Sequence, residues 1–241
     1  MITLRRAGER LHDQRRKQET WHTFCPGERT NPLAVGFGAV ENLSENRLPP
    51  GGVSATHPPQ ETEIVTYIYK GALAQEDSTG SSGVVHAGEF QCMTTGRAIR
   101  HKETNASRTD WAHIFRISLR ASEAGLECVH EQKRFAAARR HNVLCVVASP
   151  GGSNGSLCLL QDAIICSTIL DPGRHLVHEL MPGRCAWLHV ICGEATLQDL
   201  VLTQGDGVGV TMERSVSLTA QEETEILLVD LCEQGPRPPG N

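Results

Sequence analysis

The segment Gly51–Glu103 carries the strongest pattern in the chain. It reads GGVSATHPPQETEIVTYIYKG over residues 51–71, continues through a Gly/Ser-rich turn, and reads VVHAGEFQCMTTGRAIRHKE over residues 84–103. Within it, Glu63–Tyr69 is the clearest strand, because β-branched and aromatic residues dominate. The polar loop Asp77–Gly83 separates it from the next short strands. Short strands joined by Gly-rich turns favour a β-barrel or sandwich over an α/β fold.

Two short groups in this segment can build one site. His57 is followed two positions later by Pro59, and His101 is followed two positions later by Glu103. Side chains two apart on a β-strand point to the same face, so such pairs can converge inside a small barrel. Proline at position 59 offers no ligand atom and no backbone N–H. The pattern therefore predicts a metal-type site from which one ligand is missing.

The same residues resemble the pirin family of bicupins. That family's first motif runs roughly G-x5-H-P-H-x3-E-I-V-T-Y, and its second runs A-G-E-x-Q-x-M-x-x-G-x-G-I-x-H-x-E. The matching residues here are Gly51, His57, Pro58, Glu63 to Tyr67, Gly71, Ala87 to Glu89, Gln91, Met93, Gly96, Ile99, His101 and Glu103. The opening Trp21–Phe24 and the bridge Glu131–Phe135 also fit, while Pro59 and Ala98 depart from the pattern. The resemblance therefore extends along the whole sequence.

The resemblance implies a ligand set for a single Fe(II)-type ion. The family's ligand positions correspond to His57, residue 59, His101 and Glu103, and Pro59 leaves two imidazoles and one carboxylate. That set also serves non-haem Fe(II) oxygenases. Losing an imidazole ligand should cost at least the roughly 10–100-fold in metal affinity that outer-shell losses cost. Glu63 can replace the missing ligand only through a bulge, since four residues of straight strand span roughly 13 Å.

The resemblance also implies an all-β fold of two jelly-roll-type cupin barrels in tandem, a bicupin. We predict a first barrel over residues 1–120 and an inter-domain connection with one helical turn over 121–141. A second, cupin-like barrel follows over 142–232, and a flexible tail over 233–241. The second half repeats the layout of the first without its His-x-Glu motif.

Charge and hydropathy exclude several classes of partner. The formal net charge of −5 and the acidic pI of about 6.1 argue against a general nucleic-acid surface. The sequence has no run of about 20 apolar residues, and Met1–Leu4 passes at once into charged residues. We therefore expect no contact with nucleic acid or membrane, and a cytoplasmic protein.

Three functional hypotheses follow. The first is a pirin-like binding protein without metal, cofactor or catalysis, which takes a small organic molecule or peptide into its first barrel. Its pocket would be lined by His57, Pro59, Glu63, His101 and Glu103. The second is an Fe(II)-dependent dioxygenase, similar to the quercetin-cleaving members of the family, that uses the remaining His/His/Glu set. The third is a regulatory cofactor that binds a protein partner through its surface.

Two further groups of residues invite interpretation. Cys25 precedes a Pro-Gly turn and Cys92 lies on the approach to the His-x-Glu motif, so these are the better candidates for a reactive thiol. His175, His178 and His189 resemble a metal cluster in number only. Their spacing of three and eleven does not place them on one strand face, so we expect structural or surface roles.

Overall fold

The structure is a computed structural model of the 241-residue chain. It describes residues 1–15, 17–24, 33–54, 62–78, 80, 82–95, 101–120 and 130–233, without the side chains of Asp77, Thr95 and His101. The described chain is dominated by β-strands, which confirms the predicted all-β class.

The first half is a seven-stranded sheet opposed by a three-stranded one. The ten strands of these two sheets are β2 Leu11–Arg15, β3 Gln18–His22, β4 Val40–Leu48, β5 Thr62–Lys70, β6 Ala72–Asp77, β7 Ser82–His86, β8 Glu89–Thr95, β9 His101–Asn105, β10 Ala112–Arg120 and β11 His130–Arg134. The first strand of the chain, β1 Ile2–Arg5, joins a sheet of the second half. The larger sheet has the order β11-β8-β5-β10-β4-β3-β2 and the smaller one the order β7-β6-β9. A short 3₁₀ turn, Ala7–Glu9, precedes β2.

The second half repeats this arrangement. The one-turn helix α1, Ala137–Arg140, leads into it, as the sequence predicted. Its strands are β12 Cys145–Pro150, β13 Leu157–Leu159, β14 Ala163–Leu170, β15 His175–Glu179, β16 Arg184–Cys192, β17 Glu194–Leu197, β18 Leu200–Thr203, β19 Gly207–Val210, β20 Ser215–Ala220 and β21 Thr224–Cys232. A 3₁₀ turn, Ser153–Gly155, joins β12 to β13. The sheets have the orders β1-β19-β16-β21-β14-β12-β13 and β15-β20-β17-β18.

The strand β1 departs from the predicted division of the chain. Residues 1–120 were assigned to the first barrel, but Ile2–Arg5 pairs antiparallel with β19 of the second half. The assignment is wrong for this strand, because local sequence predicts a strand but not a partner two hundred residues away. The strand β11, inside the predicted connection 121–141, pairs with β8 of the first half. Residues 121–129 and the tail residues 234–241 lie outside the described residues.

A second departure concerns Val35–Leu43, whose apolar sequence with interspersed glycines, VGFGAVENL, predicts a strand. The observed strand β4 begins at Val40 and runs to Leu48. Gly36 and Gly38 both have positive φ, at 109° and 58°, so the chain turns where the sequence predicted a strand. The polar run that ends β4 is buried against its neighbours rather than exposed in a loop.

Three apolar clusters hold the two halves. The largest lies between the seven-stranded sheets and combines side chains of both halves, with Trp187 packed against Phe24 and Phe37. A second fills the second barrel. A third, smaller cluster lies in the first barrel around Ile68 and Ile114. Within the described ranges, no helix is long and apolar enough to cross a membrane.

Candidate functional site

Glu103 lies on the inner side of the small sheet of the first half. It sits in the middle of β9, opposite Gln75 of β6, and only 7% of it is exposed. The chain that enters the first motif runs beside it, since the Ser54 backbone N–H donates to the Glu103 carbonyl at 2.8 Å. The two predicted motif segments therefore meet at this strand.

The Glu103 carboxylate is held by Arg116 of β10. Arg116 Nη2 donates to Glu103 Oε2, and Arg116 Nη1 donates to Ser54 Oγ at 2.9 Å. Both charged side chains are buried, and Arg116 is only 2% exposed. A guanidinium remains charged at all physiological pH values, so this is a permanent buried ion pair.

A chain of amides lies on the same inner face. Gln91 Nε2 donates to Gln75 Oε1 at 2.7 Å, and Gln75 Nε2 lies 2.9 Å from His130 Nε2. Of the eight buried side-chain polar atoms without a hydrogen-bond partner among the described residues, two lie on this face, Arg116 Nε and Gln91 Oε1. Buried polar atoms of this kind are normally satisfied, so they mark places where a ligand or water can bind.

At Glu103 a divalent cation would have to compete with Arg116 for the carboxylate. The carboxylate already neutralises Arg116, and a second cation in contact with it would repel the guanidinium at short range. Among the described side chains, no three His, Cys, Asp or Glu groups are arranged to hold a metal ion. His57 and Pro59 lie outside the described residues, as does the side chain of His101, whose backbone begins β9.

Glu63 has a different contact from the one that the sequence suggested. Its two carboxylate oxygens accept hydrogen bonds from the backbone N–H groups of Leu160 and Gln161, each at 2.7 Å. These groups belong to the second half, so Glu63 joins the two halves. The register of β5 shows no bulge from Thr62 to Ile68. The pairing therefore argues against Glu63 as a replacement metal ligand and as a lining residue of the first-barrel pocket.

Sequence reasoning missed Arg116 as a site residue. The sequence AHIFRISL at Ala112–Leu119 has the alternation of a strand and contains one charged residue, Arg116. Alternation places Arg116 on the same face as Ile114, inside the barrel, while Phe115 and Ile117 face the core between the halves. A charge at a buried period-two position was the available signal.

Comparison with known proteins assigns the family. Residues 4–118 match the family model described as Pirin, and residues 146–231 match the model described as quercetinase C-terminal cupin domain. The chain is 34% identical over 231 residues to a protein of Escherichia coli K12 named quercetin 2,3-dioxygenase, covering 96% of this chain and 99% of that one. This chain belongs to the pirin family.

Solved structures support the same assignment for this pirin-family chain. The crystal structure of YhhW from Escherichia coli superposes with a TM-score of 0.90 at 33% identity, covering 98% of this chain and all of that one. A second crystal structure, described as the bacterial pirin YhhW in complex with nickel(II), gives a TM-score of 0.89. A pirin-like protein of Caulobacter vibrioides is 27% identical over 210 residues. The predicted bicupin fold is confirmed.

The three histidines of the second half lie in separate surroundings. His175 contacts Thr219 at the surface. His178 contacts Asp230 at 2.7 Å, and Asp230 also accepts from Arg184. Burial alone would raise the pKa of Asp230, but these partners lower it. His189 lies in the core, where burial and then the charge of Arg10 lower its pKa to about 3.

The prediction of a reactive thiol at Cys92 is wrong. The residue is 1% exposed in the core between the halves, and burial, followed by the charge of Glu63, raises its pKa to about 12. A thiol with so high a pKa carries almost no thiolate at neutral pH, and the thiolate is the reactive form. Cys25 lies outside the described residues.

Proposed function

We propose that this pirin-family chain binds a small organic molecule in its first barrel without a resident metal ion and without catalysis. The observation that supports this most is the buried pair of Arg116 with Glu103. The family places its metal ligands at positions that match Glu103 and residue 59. One of these is engaged by a cation of the protein itself, and the other is proline.

The unpartnered atoms indicate what a ligand would offer. Arg116 Nε is a buried donor and Gln91 Oε1 a buried acceptor. A molecule with a carbonyl or phenolic oxygen and a hydroxyl group can satisfy both. A mostly apolar concavity with a few convergent polar groups is the usual form of a small-molecule site.

Metal content provides the first test. Protein purified without chelator is analysed by mass spectrometry for bound metals and then titrated anaerobically with Fe(II) and with Ni(II). We expect far less than one ion per chain and no saturable uptake at micromolar metal. Retention of about one ion per chain, lost in His101→Ala, would refute the metal-free site.

Quercetin provides the ligand test, as a planar molecule with the carbonyl and hydroxyl groups described above. We expect a saturable fluorescence or calorimetric signal with no oxygen consumption at an oxygen electrode. Arg116→Lys keeps the charge but loses the Nε–H donor and should weaken binding about tenfold, since one hydrogen bond to a charged group is worth roughly 1.5 kcal/mol. An unchanged affinity in that variant would separate ligand binding from Arg116.

A second function is favoured by the relative named quercetin 2,3-dioxygenase, 34% identical to this chain. The retained His57, His101 and Glu103 comprise two imidazoles and one carboxylate, a set that serves non-haem iron oxygenases. Under this alternative, protein loaded with Fe(II) or Ni(II) consumes oxygen with quercetin, and His101→Ala does not. Equal oxygen consumption by His101→Ala and by the wild-type protein would contradict this alternative.

A protein partner is a third proposal, which concerns the outer surface rather than the barrel. A pull-down with the full chain tests it, and a pull-down that returns no specific partner counts against it.

A further inference from the structure

Arg116 faces the interior of the first barrel. It pairs with Ser44 of β4 and Thr66 of β5 in the middle of the seven-stranded sheet. Ile114, two positions earlier on β10, belongs to the apolar cluster inside this barrel. Its neighbour Phe115 points the other way, into the core between the halves. The guanidinium therefore lies on the inner face of the sheet, in contact with Glu103 of the second motif.

The charges of Glu103 and Arg116 balance each other without any added ion. The amides of Gln75 and Gln91 and the hydroxyl of Ser54, which lie beside this pair, carry no charge. The remaining buried arginines serve elsewhere, since Arg5 lies on β1 and Arg140 pairs with Glu225. Within the described residues, Arg116 is thus the buried guanidinium of the first barrel.

From this arrangement we infer that Arg116 is a built-in cation that excludes divalent metal ions from the first barrel. The inference rests on the proposed metal-free function and names the residue responsible for it. A metal ion at Glu103 would either displace the guanidinium, leaving a buried charge without its partner, or bind beside it against like-charge repulsion. Proline at position 59 supplies no ligand atom, and Arg116 pairs with the carboxylate of Glu103, a second ligand position.

Restoration of metal binding tests this inference. The full-length chain is prepared as wild type, Pro59→His, Arg116→Gln and the double variant Pro59→His/Arg116→Gln. A matched control, Pro59→His/Arg116→Lys, keeps a positive charge at position 116. Each protein is titrated with Ni(II) by isothermal calorimetry, with circular dichroism as the check of folding.

We expect the neutral double variant to bind Ni(II) at least 100-fold more tightly than Pro59→His alone or the lysine control. Outer-shell losses alone change metal affinity about 10–100-fold, and a cation on a first-shell carboxylate should cost more. Equal affinities of Pro59→His and the double variant would overturn the inference, because Arg116 would then be irrelevant to metal. A folded double variant that fails to bind overturns it equally.

Two measurements keep the outcome decisive if Arg116→Gln does not fold. Arg116→Met, similar in length and apolar, replaces it in the same double variant. In the wild-type protein, the Arg116 Nε–H resonance, assigned by its loss in Arg116→Lys, should remain sharp when paramagnetic Ni(II) is added. Broadening of that resonance would mean that metal reaches the ion pair, which overturns the inference.

The two proposals fail in different ways. If wild type takes up no metal but removal of Arg116 gains nothing, the metal-free function stands and the role of Arg116 falls. If the variants behave as expected but quercetin does not bind, the exclusion of metal stands and the ligand-binding function falls.

Discussion

Glu103 and Arg116 share a buried ion pair, and each side chain determines what the other can bind. A carboxylate in a His-x-Glu motif is by itself a hard-metal or iron ligand. Beside a permanent guanidinium it becomes the counter-ion of that group. The chemistry of Glu103 therefore depends on Arg116, a side chain of the opposite sheet that lies thirteen residues further along the chain.

Removal of the negative charge at position 103 should destabilise the fold. Glu103→Gln leaves Arg116 buried without its counter-ion, and breaking one partner of a buried pair costs about 3 kcal/mol or more. Urea unfolding followed by circular dichroism measures the change in the free energy of unfolding. The exposed control Glu222→Gln should change it by about 0.5 kcal/mol or less. A loss at position 103 no larger than that of the control would show that the pair is not buried as described.

The buried His189 predicts how stability changes with pH. Its pKa is lowered to about 3, by burial first and by Arg10 second, while Glu45 and Asp206 act in the opposite direction. The unfolded chain protonates this ring near pH 6.5, so the stability it contributes is present above that pH and is lost as pH falls toward 3. Between pH 7 and pH 5 the loss should be about 2 kcal/mol.

His189→Leu should remove that part of the pH dependence, since leucine does not titrate. Urea unfolding at pH 7 and pH 5 measures the difference for each protein. The control is His86→Gln, because His86 is exposed on β7. An identical pH dependence in His189→Leu and wild type would mean that the ring is protonated or solvated in the folded protein.

At the level of strands, the sequence predicts those strands that have a local apolar or β-branched pattern. It does not predict strands that lack such a pattern. The strand Glu63–Tyr69 was placed within a residue of the observed β5 at each end, because a β-branched and aromatic run specifies a buried strand. The edge strand β2 has no apolar strand pattern in its sequence LHDQR, since most of its side chains face solvent. Partners such as β19 for β1 depend on contacts between distant residues, which no local pattern encodes.

The same limit applied to the site. The motif residues were found because their spacing is diagnostic, and Glu103 does lie in the first barrel. The groups that pair with these residues could not be predicted from the motif. Arg116 contacts Glu103 across the barrel, and Glu63 accepts hydrogen bonds from the backbone of the second half. A motif predicts which residues approach one another, but it does not predict which groups neutralise them.

The contact of β5 with the turn after β13 can be tested at Glu63. Glu63→Gln retains one carbonyl oxygen, so only one of the N–H groups of Leu160 and Gln161 keeps its acceptor. Hydrogen bonds to charged groups contribute about 1.5–3 kcal/mol, so we expect a loss of about 2 kcal/mol in urea unfolding. Ni(II) binding by the Pro59→His/Arg116→Gln protein should not change when Glu63→Gln is added. A loss of metal affinity there would instead make Glu63 a ligand.

The two halves share their largest apolar core, so the whole molecule should unfold as one unit. The core between the seven-stranded sheets contains Val65 and Phe115 of the first half with Leu227 and Val229 of the second. The pairing of β1 with β19 also links the N-terminal segment of the chain to the sheet of the second half by hydrogen bonds. Separation of the halves would expose this surface to water, which opposes independent unfolding.

A buried polar group at the centre of this interface provides the corresponding measurement. Tyr67 Oη donates to Glu225 Oε1 at 2.5 Å, and Arg140 Nη1 donates to the same oxygen at 2.6 Å and to Ser167 Oγ at 2.8 Å. Tyr67 belongs to β5, Glu225 to β21 and Arg140 to the connecting helix. Burial raises the pKa of the Tyr67 hydroxyl, so it remains a donor throughout the accessible pH range. Contacts of this kind couple residues of both halves energetically.

A double-mutant cycle of Tyr67→Phe with Glu225→Gln should reveal that coupling. Tyr67→Phe should lose about 2 kcal/mol in urea unfolding, and Glu225→Gln about 3 kcal/mol or more, because it also leaves Arg140 buried without its counter-ion. The two losses should fall short of additive by about 1 kcal/mol, because both variants remove the contact between Tyr67 and Glu225. Tyr67→Phe combined with the exposed Glu222→Gln is the matched control and should be additive. Unfolding should remain a single transition, with tryptophan fluorescence and circular dichroism coincident. Additive losses at Tyr67 and Glu225 would mean that the polar cluster does not couple these two residues. Two separate unfolding transitions would mean that each half is stable without the other.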